Sequence, residues 1–253
     1  MTDATPTLLT VEDLHVAYPA GPFWARRARP VVRGVSFDVR EGEIVGLIGE
    51  SGSGKSTIAR AVAGLAPVTA GRIALTGRVQ MIFQDPLSSL DPMMRVGAQI
   101  EEVLAIHRLA PRGGRRARAV ELLERVGLSA DLHGRLPAAL SGGQRARVGI
   151  ARALAAEPRL LIADEATAAL DVSVQALVLN LLMDLRDDLG LAILFITHDL
   201  AVVRILCDRA LVLHHGAVVE AGETAALFAA PSHDYTRALL AAHHPARRLH
   251  DRT

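Results

Sequence analysis

The chain has 253 residues, half of them hydrophobic and 22% charged, with a formal net charge of +1. That balance excludes a chain disordered throughout, and it excludes a nucleic-acid binder driven by bulk positive charge. A single cysteine, Cys207, excludes an intrachain disulfide framework and any four-cysteine metal cage, and is most simply a small core residue.

In chain order, the first residues carry an early acid and no apolar run behind a basic start, so they do not read as a signal peptide. Residues 8–16 and 31–39 alternate or are β-branched, and are predicted strands. Residues 19–30 between them, rich in Pro, Gly and charge, read as an exposed, mobile loop. The apolar run 44–48 is a predicted buried parallel strand, followed by a helix from residue 55 to about 65. Short strands are expected at 72–75 and 79–83. The period is then helical from 96 to 128, broken at 111–114. Arg112, Arg115, Arg116 and Arg118 cluster there and read as a solvated helix face.

Beyond residue 143, helices (144–156, 172–189, 199–206) alternate with strands (160–164, 191–197, 209–213). Such alternation implies parallel strands joined by crossover helices. An edge strand at 218–220 and short helices at 224–228 and 235–240 complete the pattern; residues 241–253 read as a flexible tail. His214 and His215 fall at a strand end and read as structural. His243, His244 and His250 have no spacing that fits a fixed metal site. No segment reaches the roughly 18 uninterrupted apolar residues of a transmembrane helix.

Gly49-Glu50-Ser51-Gly52-Ser53-Gly54-Lys55-Ser56-Thr57 fits the phosphate-loop pattern G-x-x-x-x-G-K-[ST], between a buried strand and a helix. The glycines let backbone N–H groups curl around a phosphate, and the helix N-terminus adds its positive dipole end. Lys55 is then expected to bridge the β- and γ-phosphates and Ser56 to bind Mg²⁺. Lys55 is also the only lysine among 28 basic side chains. Arginine's planar fork does not replace a compact ammonium at every site.

Residues 160–165 form an apolar strand ending in Asp164 and Glu165. Carboxylates there are costly unless they meet a cation or a reacting group. Asp164 suits the Mg²⁺ shell, and Glu165 suits activation of water. Leu140-Ser141-Gly142-Gly143-Gln144 precedes a helix and reads either as an N-cap turn or as a second anion-binding construction.

The order phosphate loop, Leu-Ser-Gly-Gly-Gln, Asp-Glu, then histidine resembles the nucleotide-binding subunits of ATP-binding cassette transporters, over about residues 8–240. The resemblance implies a phosphate-loop NTPase (RecA-like) α/β core with a small antiparallel β lobe. It also implies a helical signature subdomain at about 90–150, all within one domain spanning 8–240. It implies further roles: Tyr18 stacking on adenine, Gln84 touching Mg²⁺ and water, Glu165 as catalytic carboxylate, Asp171 crossing between subunits, and His198 facing the γ-phosphate. ATP and Mg²⁺ are the implied substrate and cofactor. The implied partners are a second cassette, identical or related, two integral membrane permease subunits and, indirectly, a solute-binding protein, at the cytoplasmic face of the membrane. No nucleic-acid partner is implied.

Residues 83–92, 171–175 and 231–240 resemble those of importers of oligopeptides, dipeptides and nickel. Departures are Ala166 where the family commonly has proline, Ala168 where serine is usual, and Asp234 where proline is usual. The stretch from Gly71 to Gln84 is short, which leaves the size of the β lobe open. The cysteine cluster of some peptide-importer subunits is missing, so no iron–sulfur centre is expected. The alternatives are a soluble cassette ATPase not coupled to transport, a phosphate-loop kinase and a binding-only module. A kinase has no use for the 140–144 element, and Lys55, Asp164, Glu165 and His198 argue against lost catalysis.

Overall fold

The computed structural model describes residues 6–20, 27–83, 89–168 and 170–242. In chain order the elements are β1 (Thr7–Ala20), β2 (Arg27–Arg40), β3 (Ile44–Ile48), α1 (Lys55–Val62), β4 (Ala70–Leu75) and β5 (Val79–Ile82). Then come α2 (Val96–Ile106), α3 (Arg115–Arg125), two 3₁₀ turns, α4 (Gly142–Leu154), β6 (Leu160–Asp164), α5 (Val172–Leu189) and β7 (Ala192–Ile196). The chain closes with α6 (Leu200–Leu206), β8 (Arg209–His214), β9 (Ala217–Glu223), α7 (Thr224–Ala229) and α8 (Asp234–Ala242). It divides into two compact units, residues 1–75 with 194–253, and residues 76–193.

In the first unit, β1, β2 and β4 form an antiparallel sheet of order β2-β1-β4. The period-2 pattern is the cause: Val11, Leu14, Val16, Val35, Phe37 and Val39 are buried, while Glu12, Gly34, Ser36 and Arg40 face out. The strands run further than the sequence suggests. Ala17 pairs with Pro30, Tyr18 with Arg29 and Pro19 with Ala28, so the two ends of the loop expected at 19–30 are strand, and its middle, 21–26, lies outside the described residues. Two prolines survive there because β2 is an edge strand, and because the pairing of β1 with β4 ends at His15, well before Pro19. The same unit holds the strand run β3-β8-β9. All five residues of β3 are buried, and Val45–Ile48 pair in parallel with β8. The expected edge strand at 218–220 is the longer β9, antiparallel to β8 across a tight turn at His215 and Gly216, both with positive φ.

An ion cluster ties three of these strands together. Arg209 of β8 donates to both oxygens of Asp38 on β2, at 3.2 and 3.3 Å, and to Glu43, just before β3, at 3.0 Å. Burial opposes the charge of Arg209, but its hydrogen bonds to Asp38 and the charge of Glu43 outweigh it and raise its pKa. Arg209→Met strands the buried carboxylate of Glu43. It is expected to cost about 3 kcal/mol in urea unfolding, at the low end for a broken buried pair because Asp38 stays half-exposed. A loss below about 1 kcal/mol would show the cluster to behave as a surface pair.

The second unit carries β5 and β6, parallel to each other, and ends within β7, at Ile193. The β6 and β7 side chains are buried throughout, as their continuous apolar runs require. Between residues 96 and 154 every regular element is helical. Cys207 sits in the core of the first unit, 7% exposed, and burial pushes its thiol pKa up.

Candidate functional site

In the first unit, Gly49–Thr57 forms a closed loop from β3 into α1. Gly49 is obligatory twice over: its φ is 149°, and a Cβ there would lie 2.2 Å from the Leu213 carbonyl oxygen. The Lys55 ammonium is buried and donates to the carbonyl oxygens of Gly49 and Glu50, at 2.8 Å each. Gly216 N–H, from the β8–β9 turn, donates to Ser53 O at 2.9 Å. The Ser53 hydroxyl is buried and, among the described residues, has no hydrogen-bond partner. An unsatisfied hydroxyl is costly; inside a loop of this shape it fits a bound phosphate oxygen. Ser51 and Gly52 are exposed, while Ser56 and Thr57 are half-buried on the first turn of α1.

Tyr18 is half-buried on β1, two residues beyond Val16. Val16 pairs with Val32 of β2, whose neighbour Val31 lies beside Gly54. His198 is exposed between β7 and α6. The next residue, Asp199, caps α6 by accepting from Ala201 N–H at 3.0 Å and Val202 N–H at 3.4 Å.

In the second unit, Asp164 ends β6 and is 4% exposed. Glu165 follows with φ 48°, a left-handed conformation that a non-glycine residue adopts at a cost of order 1–3 kcal/mol. The chain then folds over through Ala168 N–H to Glu165 O at 3.0 Å and Gln175 Nε2 to Thr167 Oγ1 at 3.3 Å. Asp171 caps α5, accepting from Ser173 Oγ at 2.6 Å and Val174 N–H at 2.9 Å, and these bonds lower its pKa.

The Leu140–Gln144 segment is a capping box: Ser141 Oγ accepts from Gln144 N–H at 3.2 Å, and Gln144 Oε1 accepts from Ser141 N–H at 2.9 Å. The N-cap reading is therefore correct as local geometry. It still leaves the dipole end of α4 presented by two glycines. Gly143 packs so closely on α5 that a Cβ would meet Val174 Cγ1 at 2.3 Å, and Gly142 faces Leu170 at 3.8 Å. The signature turn, the acid pair and Asp171 are thus linked within one unit. Gln84 lies outside the described residues.

The family described as "ABC transporter" matches residues 32–168. The chain belongs to the ABC transporter family. A putative peptide import ATP-binding protein of Brucella abortus (strain 2308) is 47% identical to the cassette over 265 residues, covering 97% of this chain and 79% of the relative. A probable peptide ABC transporter ATP-binding protein of Sinorhizobium fredii is 47% identical over 261 residues, covering 96% and 73%. Among solved structures, the dimeric ATP-binding cassette MJ0796 in a post-hydrolysis state with ADP and Pi aligns with TM-score 0.75 and 28% identity, over 86% of this chain and 99% of that one. The cbiO1 subunit of Clostridium perfringens, part of the ABC transporter complex cbiONQ, aligns with TM-score 0.76 and 28% identity, over 88% and 91%.

Sequence reasoning missed two features of the cassette. The β8–β9 turn grips the phosphate loop, and Tyr235 reaches it from α8. Paired glycine and histidine at 214–216 signalled a turn, but nothing in the spacing tied it to residue 53.

Proposed function

We propose that this cassette is the ATP-hydrolysing subunit of a peptide importer, working in a pair at the cytoplasmic face of the membrane. The observation that carries the substrate class is 47% identity along 97% of the chain to a protein named for peptide import. Among the described residues no helix is long and apolar enough to cross a membrane, so the proposal places the pathway in separate permease subunits.

In this reading the 49–57 loop holds the phosphates of ATP, with Lys55 leaving its carbonyl contacts to meet the γ-phosphate. Tyr18 stacks on the adenine. Ser56 and Asp164, with Gln84, would hold Mg²⁺, which their hard oxygen donors suit and which offsets charge on the β- and γ-phosphates. Glu165 polarises the attacking water and His198 faces the γ-phosphate. The Ser141–Gln144 turn of one copy closes over nucleotide held by the other, and Asp171 lies at that junction. Domain boundaries follow the same reading: one nucleotide-binding domain over 8–240, with its helical part at about 90–150.

In the same reading the permease docks in the second unit, beside Gln84. A pocket lined by Met81, Phe83, Ser89, Val103, Gly149 and Arg152 lies at the two ends of the 84–88 segment. Arg152 donates to Ser89 O there, and burial lowers its pKa against the opposing charge of Glu102. The test is capture of the tagged full chain from detergent-solubilised membranes, with mass spectrometry. Two co-eluting integral membrane subunits support the reading. A chain recovered only from the soluble fraction, with no membrane protein, refutes it in favour of a soluble cassette ATPase.

A further inference from the structure

The first unit contains a contact between the C-terminal helix and the phosphate loop that no step above uses. Glu50 N–H, the second backbone donor of the loop, donates to the Tyr235 phenol oxygen at 3.1 Å. The Tyr235 ring stacks on His214, with centroids 3.8 Å apart, and His214 stacks in turn on His215 at 3.9 Å. His214 ends β8, one strand position beyond Leu213, whose carbonyl abuts Gly49. The same hairpin donates Gly216 N–H to Ser53 O. The loop is therefore held from outside at two points, residues 50 and 53, by groups from the last third of the chain.

Tyr235 is itself delivered by an anchored turn. Glu220 of β9 accepts from Ser232 N–H at 2.7 Å, Ser232 Oγ at 2.9 Å and His233 N–H at 3.0 Å. Arg237 closes the turn on the carbonyl oxygens of Pro231 and Ser232, at 3.0 and 2.8 Å. Burial opposes the charge of Glu220, but the hydrogen bonds it accepts bring its pKa to about 2, so the anchor stays ionised across the working pH range. Burial, with a smaller contribution from the Glu50 carboxylate, raises the Tyr235 pKa against the lowering effect of the Glu50 N–H bond.

We propose that Tyr235 is a positioning residue for the phosphate loop: held by the Glu220 anchor and the His214 stack, its phenol oxygen fixes Glu50 N–H and pre-sets the loop for nucleotide. This rests on the reading that the 49–57 loop binds ATP phosphates. The physical ground is preorganisation. A loop already ordered loses less freedom when a ligand arrives, so binding tightens without any new contact to the ligand. Tyr235 touches neither the reacting atoms nor the proposed catalytic groups, so its effect falls on affinity and spares the chemical step.

The experiment is a KM-against-kcat comparison on the purified full chain, with direct ATP binding by calorimetry. Tyr235→Phe keeps the ring and its stack and removes only the hydrogen bond. It is expected to raise KM and Kd for ATP about 3- to 10-fold, as one net hydrogen bond allows, with kcat within about twofold. Glu220→Gln, which loosens the anchor, is expected to act in the same direction. The double variant should show no more than the larger single effect, because both changes act through one contact.

An unchanged KM in Tyr235→Phe overturns the proposal. So does a fall in kcat and melting temperature with KM unmoved, which would mark a merely structural role. Fully additive effects in the double variant overturn it as well. If the wild-type chain binds no ATP, the underlying reading fails, and that result is distinct from wild-type binding with an indifferent Tyr235→Phe.

Discussion

Glu165→Gln retains ATP binding and loses turnover by about 10²- to 10⁴-fold, the range for removal of a positioned general base. The amide keeps the shape of the side chain but accepts no proton. The backbone argues for a special role at this position. Glu165 stands at φ 48°, immediately after the buried Asp164. A left-handed non-glycine residue at the end of a buried strand persists only where its surroundings over-determine it. Here the turn through Ala168, Leu170 and Gln175 does so. Steady-state hydrolysis and ATP binding, measured side by side, decide the matter. Wild-type turnover in the variant would remove Glu165 from the chemistry and leave its strain as a feature of the turn alone.

Lys55→Ala is expected to lower turnover by about 10²- to 10³-fold, as loss of one strong donor to developing charge does. Lys55→Arg is not expected to restore it. Lys55 is 6% exposed, and its ammonium folds back onto two successive carbonyl oxygens at 2.8 Å. A compact, freely rotating ammonium fits that position, whereas a rigid planar fork does not. The rest of the chain uses arginine for its other basic side chains, so charge alone is not what this position requires. ATP turnover by the two variants is the measurement. More than a tenth of wild-type turnover in Lys55→Arg would show that charge suffices and that the fit of the ammonium does not matter.

What the sequence made legible is what is local. The phosphate loop declares itself because its glycines, lysine and serine must stand at fixed offsets around one turn. The buried strands at 44–48 and 160–164 declare themselves because a strand covered on both faces has no polar side to show. The capping box of Ser141 and Gln144 is a four-residue device, so its N-cap reading was available from the start.

Longer-range features were not legible. The Tyr235–Glu50 contact joins residues 185 positions apart, and Arg209 meets Asp38 from 171 positions away. No periodicity encodes either pairing. The extension of β1 to Ala20 and of β2 back to Arg27 was hidden for a different reason. Prolines usually punctuate strands, and only the sheet order shows that these occupy positions where no ladder partner is lost. Asp171 was read, through the family resemblance, as an acid reaching another subunit. In the chain itself its carboxylate caps α5, so any role across a subunit boundary would be added to the cap.

The central claim, that hydrolysis by this cassette powers peptide import, is tested most directly by uptake of a radiolabelled short peptide. The cells would lack the chain and be complemented with either the wild type or Glu165→Gln. The account predicts ATP-dependent uptake with the wild type and background uptake with Glu165→Gln at equal protein level. Equal uptake with the two forms, or no peptide uptake with an active wild-type ATPase, would contradict it.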